Sequence, residues 1–295
     1  MTPGHTLQDT LGGARARLVA AGIAADEAAI DVEVYACTIL GWDRARLLTE
    51  LRSPAAASIP TLEPRFSEWV ARREQREPTP YIVGIREFWG LDFVVSPAVL
   101  IPRHESELIV EEALAVLRDV DSPRVADVGT GSGCLAIAIA HELPRAGVVA
   151  TDISEDALVV ARENALRLGV HDRVRCVHTS HLDDVDGPFN AIVANPPYVL
   201  DSAKPGLPRQ VGGYEPHVAL FGGKDGLRDI TAVLEAATEK LLPGGWLIFE
   251  FGLGQDDRIL ELVARYPAFL LEHLREDLQG IPRTAVLRRI PGPKP

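Results

Sequence analysis

The chain of 295 residues is long enough for a full α/β domain with a smaller companion, and its 46% apolar and 24% charged residues are ordinary for a globular protein. A formal charge of −12 argues against a protein that grips bare nucleic acid through its phosphates, which needs net positive surface, and leaves a protein substrate open. Three widely spaced cysteines, Cys37, Cys134 and Cys176, point to neither a disulfide framework nor a zinc site; Met1 to Thr10 carries no basic-then-apolar leader and no apolar run reaches membrane length, so the expectation is a soluble cytoplasmic protein.

From Thr6 to about Glu77 the pattern is helical. Leu11 to Ala21 is rich in Ala, Arg and Leu, and Asp26 to Leu40 repeats apolar residues at Ile30, Val34 and Cys37, the spacing of one helix face. Asp43 is placed to cap the next short helix, and Pro64 to open one carrying Phe66, Trp69 and Val70. Residues 1–77 are therefore expected to form a small helical bundle, either a structural appendage or a module that docks a substrate. Pro78 and Pro80 end the helical pattern, and 78–100 reads as a linking β-hairpin, with β-type runs from Tyr81 to Leu100 punctuated by Gly84, Gly90 and Pro97. Pro102-Arg103-His104-Glu105-Ser106-Glu107 then opens a helix from about Ser106 to Leu117 with acids in its first turn. Arg103 and Glu105 either face a cofactor or form an N-terminal capping cluster; the local residues leave both open.

From Val125 onward strands and helices alternate, the mark of a parallel sheet covered on both faces. Val125 to Val128 is a buried strand, and Gly129-Thr130-Gly131-Ser132-Gly133 is the turn into a helix from about Cys134 to Glu142. Glycine in such a turn supplies positive φ and lets a ligand lie against bare backbone. The second strand, from Gly147, ends at Asp152, a carboxylate placed to accept hydrogen bonds from ribose hydroxyls. Dinucleotide binders show G-x-G-x-x-G, whereas Cys134 stands at the final position here; the Asp-x-Gly-x-Gly-x-Gly run from Asp127 to Gly133 matches an S-adenosylmethionine loop. No phosphate-binding G-x-x-x-x-G-K-[ST] loop and no G-x-S-x-G nucleophile elbow is present. Ser154 caps a helix from about Glu155 to Leu168, and a third strand covers about Val174 to His178. His178, His181, Asp183 and Asp184 read as a solvated loop rather than a metal site, because nothing fixes them on one helix face.

Phe189 to Ala194 forms the next strand, and Asn195-Pro196-Pro197-Tyr198 follows as a rigid loop, since proline cannot extend a sheet ladder. In an open parallel sheet that edge is where ligands bind. Asn195 offers a side-chain carbonyl, Pro196 a backbone carbonyl, and Tyr198 a flat ring with a polar tip. Two acceptors spaced for the two hydrogens of a planar –NH2 group would hold it for alkylation, with Tyr198 stacked on its plane. No strong base is needed, because the alkylated nitrogen becomes acidic and sheds its proton afterwards. Residues 199–225, rich in Pro and Gly, are expected to wall or cover the substrate. A helix over Asp225 to Leu242, a tight turn at Pro243-Gly244-Gly245, a strand Trp246 to Phe251 and a helix Gln255 to Arg265 come next. Phe269 to Leu274 and Thr284 to Ile290 are spaced for a closing antiparallel pair, and Pro291 to Pro295 reads as a frayed tail.

These residues resemble the release factor glutamine methyltransferase family, class I S-adenosylmethionine-dependent enzymes that methylate the glutamine side-chain amide in the Gly-Gly-Gln motif of class I peptide chain release factors. The resemblance runs through Phe88-Trp89-Gly90-Leu91, Val99-Leu100-Ile101-Pro102-Arg103, the glycine loop, Asp152, Asn195 to Tyr198, Tyr214-Glu215-Pro216-His217, Leu220-Phe221-Gly222-Gly223 and Asp277-Leu278-Gln279-Gly280. It implies a Rossmann-like seven-stranded methyltransferase domain over 101–295, preceded by the helical docking bundle and the hairpin. It further implies that Gly129, Thr130, Gly131, Ser132, Gly133 and Asp152 bind the cofactor S-adenosylmethionine. By the same resemblance, Asn195 is expected to touch cofactor and substrate, and Pro196, Pro197 and Tyr198 to complete the glutamine pocket, with Asn195, Pro196 and Tyr198 as the catalytic set. The implied partner is a release factor, with no membrane and no direct nucleic-acid binding. The family's Pro-Arg-Pro-Glu-Thr-Glu is here Pro102-Arg103-His104-Glu105-Ser106-Glu107, and Thr179-Ser180 stands where a Gly-Asp pair usually reads the adenine; whether Ser180 or His181 takes that contact is open. Rival readings are another glutamine, as in a ribosomal protein, an exocyclic amino group of a nucleic-acid base, and a cofactor-binding scaffold without transfer.

Overall fold

The computed structural model describes residues 6–51 and 59–291, so most of the expected C-terminal tail lies outside the described residues. The chain divides into two compact units, Met1–Gly84 with Arg209–Tyr214, and Ile85–Pro208 with Glu215–Pro295. Among the described residues no helix is long and apolar enough to cross a membrane.

The first unit is helical: α1 (Leu7–Ala20), α2 (Ala25–Leu40), α3 (Arg44–Glu50), α4 (Ile59–Glu74) and the short α5 (Thr79–Val83). Thr6 starts α1 with a capping box, its hydroxyl accepting from Asp9 N at 3.2 Å while Asp9 accepts from Thr6 N at 2.9 Å. Asp43 caps α3 as expected, accepting from Arg46 N at 2.7 Å. The buried face of α2 differs from the expected one. Ile30 is 59% exposed and Val34 and Cys37 are only partly buried, whereas Ala28, Val32, Tyr35 and Ala36 are fully inside. Larger partners set this rotation: Tyr35 meets the Trp69 ring edge-on at 5.5 Å, and Asp31 receives Arg73 Nε at 2.7 Å. Arg73 is 2% exposed and also bonds Glu27 and, at 3.2 Å, Gln210. Helix α4 begins a turn earlier than expected, leaving Pro64 inside it. The extended reading of Tyr81 is corrected too: Thr79–Val83 is helical, because Pro80 sits in the first turn, where its missing N–H costs nothing, and Gly84 ends the turn at φ +84°.

The hairpin is thus confined to β1 (Ile85–Phe88) and β2 (Leu91–Val94), joined through Trp89 and Gly90, both at positive φ, as a two-residue hairpin turn requires. Phe88 and Phe93 are fully buried and pack edge-to-face at 6.1 Å. Asn164, fully buried, accepts from Val94 N at 2.7 Å and donates to Val94 O at 3.0 Å and Ser132 O at 2.9 Å, tying hairpin to glycine loop.

The rest is an α/β sheet domain in which α6 (Glu107–Leu117), β3 (Arg124–Val128), α7 (Cys134–Glu142), β4 (Gly147–Asp152), α8 (Glu155–Arg167), β5 (Val174–His178) and β6 (Phe189–Ala194) follow in order. After the short α9 (Arg209–Gly212), which belongs to the first unit, come α10 (Arg228–Lys240), β7 (Leu241–Glu250), α11 (Asp256–Val263), β8 (Phe269–Glu276) and β9 (Pro282–Arg289). The seven strands run in the order β5-β4-β3-β6-β7-β9-β8, parallel through β7, with β9 antiparallel to both its neighbours. Strand β6 is apolar on both sides because both are covered: Val193 joins Ile137 and Ile139 in one layer, Ile192 joins Leu234 and Phe249 in the other. Each such fully buried side chain contributes about 1.5–3 kcal/mol. Pro243-Gly244-Gly245 does not precede β7 but bulges within it, since Phe189 pairs with Leu241 and Ala191 already with Trp246.

Candidate active site

The carboxyl ends of β3, β4 and β6 meet where strand order reverses, the switch point at which open α/β sheets bind ligands. Gly129, Gly131 and Gly133 all lie at positive φ, +73°, +55° and +84°. A Cβ at Gly129 or Gly131 would meet nothing within 4 Å, so there conformation demands glycine and the space beside the backbone stays open. Gly133 differs. Its Cβ would stand 2.9 Å from Ile137 Cδ1 and 3.3 Å from Ala161 Cβ, so this glycine packs α7 against α8.

Asp127 is fully buried beneath the loop, where Oδ2 accepts from Thr130 Oγ1 at 2.6 Å and Ala136 N at 3.2 Å while Oδ1 has no partner. Burial pushes its carboxyl up to about 7, against those hydrogen bonds and with help from the Asp152 charge. Asp152 accepts from Gly131 N through Oδ2 and from Ser154 N through Oδ1, both at 2.9 Å. Its carboxyl is also raised, by burial, against backbone hydrogen bonds from Ser154, Gly131 and Ile153.

A cavity of about 420 Å³ joins these ends. Gly129, Thr130, Gly131, Ser132 and Asp152 line one part of it, and Asn195, Pro196 and Pro197 another. Gly133 and Tyr198 do not line it. Arg103 does and Glu105 does not; Arg103 is ion-paired to Glu215, which also accepts from Ile101 N at 3.2 Å. Ser180 and His181 both line the cavity, His181 at φ +49°, whereas His178 turns to Ile153 O at 2.9 Å. Among the described residues no group of three or more His, Cys, Asp or Glu is arranged to hold a metal.

The loop after β6 is held from behind. Asn195 Nδ2 donates to Ser106 Oγ at 2.8 Å, Ser106 Oγ donates to Glu250 Oε2 at 2.5 Å, and Tyr198 OH donates to Glu250 Oε1 at 2.9 Å. Glu250 is fully buried and its carboxyl is raised by that burial, opposed by the hydrogen bonds from Ser106 and Tyr198. Burial, followed by the Glu250 charge, moves the Tyr198 phenol well above its ordinary value. Gln255 accepts from Gly252 N at 2.8 Å and donates to Tyr198 O at 3.1 Å. A Cβ at Gly222 would fall 2.3 Å from Pro197 O, and one at Gly226 2.3 Å from Tyr198 O. Glu250 and Gln255 carry no local signature, though a carboxylate closing the apolar run Trp246 to Phe249 is an anomaly visible in the sequence; Glu215 lies in the Tyr214-Glu215-Pro216-His217 motif, which does not by itself show that its partners are Arg103 and Ile101. The glycine loop, the Asp152 carboxylate and the Asn195-Pro196 segment thus border one space.

The family description "PrmC N-terminal domain" matches residues 9–84 and "Methyltransferase small domain" matches residues 106–206. The release factor glutamine methyltransferase of Moorella thermoacetica is 42% identical over 283 residues, covering 93% of this chain and 95% of its own length. That of Bradyrhizobium diazoefficiens is 41% identical over 270 residues, covering 90% of each. The solved hMettl16 catalytic domain in complex with MAT2A 3′UTR hairpin 6 is similar in fold, with a TM-score of 0.56 at 14% identity over 77% of this chain and 81% of that one.

Proposed function

Because the chain belongs to the release factor glutamine methyltransferase family, we propose that it transfers the methyl of S-adenosylmethionine to the side-chain amide of the Gly-Gly-Gln glutamine in class I peptide chain release factors. The observation that carries this reading is the single cavity shared by the glycine loop, Asp152 and Asn195-Pro196. Its residues suit the cofactor: bare backbone at Gly129 and Gly131 admits close approach, and the Asp152 carboxylate at the cavity wall can accept from ribose hydroxyls. S-adenosylmethionine, when bound, supplies a methyl carbon made electrophilic by its sulfonium. The chain's own contribution is placement. Asn195 and Pro196 accept the two amide hydrogens through their carbonyls, which fixes the nitrogen and leaves its face open along the line of attack. An amide nitrogen is a poor nucleophile, so restricting it to one geometry is the main source of rate, and no base has to remove a proton first. Tyr198, with its hydroxyl on Glu250, braces the loop. The helical unit is the part assigned to docking the protein partner.

Incubating the protein with methyl-labelled cofactor and a release factor, then mapping the label by mass spectrometry, tests the reading. A single methyl on the Gly-Gly-Gln glutamine is expected. Label on another residue, or none, would overturn it.

A further inference from the structure

We propose that Glu250, acting through Ser106, sets the direction of the hydrogen bonds that reach Asn195, so that its carboxamide must face the substrate with oxygen and not with NH2. This rests on the methyl-transfer reading above, and neither Ser106 nor Glu250 is among the residues that reading uses to hold the amide.

An Asn side chain is nearly symmetrical in shape, and rotation by half a turn exchanges acceptor for donor at the same point in space. Turned the wrong way, Asn195 would confront an incoming –NH2 with its own hydrogens. Local packing discriminates poorly between the two states, so something must choose. An ionised Glu250 can only accept. Its Oε1 takes the Tyr198 hydroxyl and its Oε2 takes the Ser106 hydroxyl at 2.5 Å. Ser106 has a single proton, and with that proton committed to Glu250 its oxygen can only accept from Asn195. The atom offered at 2.8 Å is accordingly Nδ2. Polarity thus passes from a fully buried carboxylate through a hydroxyl that is 2% exposed to the group at the cavity wall. Ser106 and Glu250 are each 2% exposed, so the bond between them is shielded from water, which would otherwise supply a partner to the Ser106 hydroxyl in either orientation.

Protonation relaxes the chain, because a neutral Glu250 can donate to Ser106 and free the Ser106 proton for Asn195 Oδ1. The charged groups that act on Glu250 are Glu105, which favours the neutral form, and Arg283, which opposes it; the Tyr198 and Ser106 hydroxyls both favour the ionised form. Glu250 and Ser106 are therefore positioning residues, and Asn195 is the group they orient.

The test compares Ser106→Thr with Ser106→Val, equal in shape and differing by the hydroxyl, as turnover of a release factor at saturating S-adenosylmethionine. Thr is expected to exceed Val by about 10–100-fold in kcat, on the scale of losing an outer partner that orients a functional group and not the group itself; a ratio under fivefold overturns the proposal. If neither folds well enough to bind cofactor, Ser106→Ala against wild type is read by the same fivefold criterion. Separately, kcat of the wild type is expected to fall as pH drops through the raised Glu250 range, and Glu250→Gln to lack that limb. A Glu250→Gln profile that keeps the wild-type limb overturns the proposal. A wild type that methylates no glutamine overturns the functional reading itself, whereas an active wild type with equal Thr and Val variants removes this inference alone.

Discussion

Asn164 holds Val94 in both directions, accepting its N–H at 2.7 Å and donating to its carbonyl at 3.0 Å, as a neighbouring strand would. The second Nδ2 hydrogen goes to Ser132 O at 2.9 Å, so one buried amide secures the hairpin and the glycine loop together. Replacing it by Ala leaves a main-chain donor and two acceptors without partners and is expected to cost about 2–3 kcal/mol in urea unfolding. Asn164→Asp should cost more, because a carboxylate would then face two carbonyl oxygens. An Asp variant more stable than the Ala variant would show that these bonds matter little.

Removing the Asn195 carboxamide separates binding from transfer. Asn195→Ala should leave cofactor affinity within about tenfold while lowering kcat on a release factor by about 10²–10³, the usual loss for one preorganised polar group. Calorimetry and a single-turnover methylation assay read the two quantities. Full turnover in this variant would remove Asn195 from its assigned role.

Asp127 links stability to pH in a direction opposite to that of most acids. Its folded value is pushed up to about 7, from 3.8 when exposed, so between about pH 4 and 7 the folded chain keeps a proton that the unfolded chain has lost. That favours the folded state at the acid end, and the advantage fades as pH rises through the folded value. Asp127→Asn cannot titrate, so its Tm relative to wild type should climb from pH 4.5 to 7.5 and level off above. A difference that stays constant over this range would contradict the assignment.

In the helical unit, Arg73 is buried with Asp31, which is itself 5% exposed. Arg73→Met strands that carboxylate and is expected to destabilise by about 3–5 kcal/mol, as for other broken buried pairs. Adding Asp31→Leu should recover much of the loss, since replacing both charges removes the burial penalty along with the attraction. Thermal melts of the single and double variants check this.

Much of the sheet domain was legible from sequence because its strands are short β-type runs, mostly apolar at the sheet centre, bounded by turn residues. Val174–His178 and Phe189–Ala194 fall where the pattern puts them. The rotation of α2 was not legible. Its Ala and aliphatic residues spread round the helix, and the choice was made by Tyr35 and Asp31 finding Trp69 and Arg73 far along the chain. Inside β7 the Pro-Gly-Gly signal for a turn was sound, but the ladder resumed beyond it, so the turn became a bulge. At the site, the glycines and Asn195 announce themselves through backbone and motif chemistry. Glu250 meets Ser106 across 144 positions of sequence, a relationship set only by the sheet bringing the end of β7 beside the start of α6.

The approach of Gly222 and Gly226 to the carbonyls of Pro197 and Tyr198 has a mechanical consequence. Backbone lies directly on backbone there, with no compressible side chain between the layers, and the prolines in front remove torsional slack. The ledge proposed to meet the incoming glutamine therefore cannot recede, and on that reading a side chain longer or shorter than glutamine meets a fixed depth, which makes reach itself a criterion of selection.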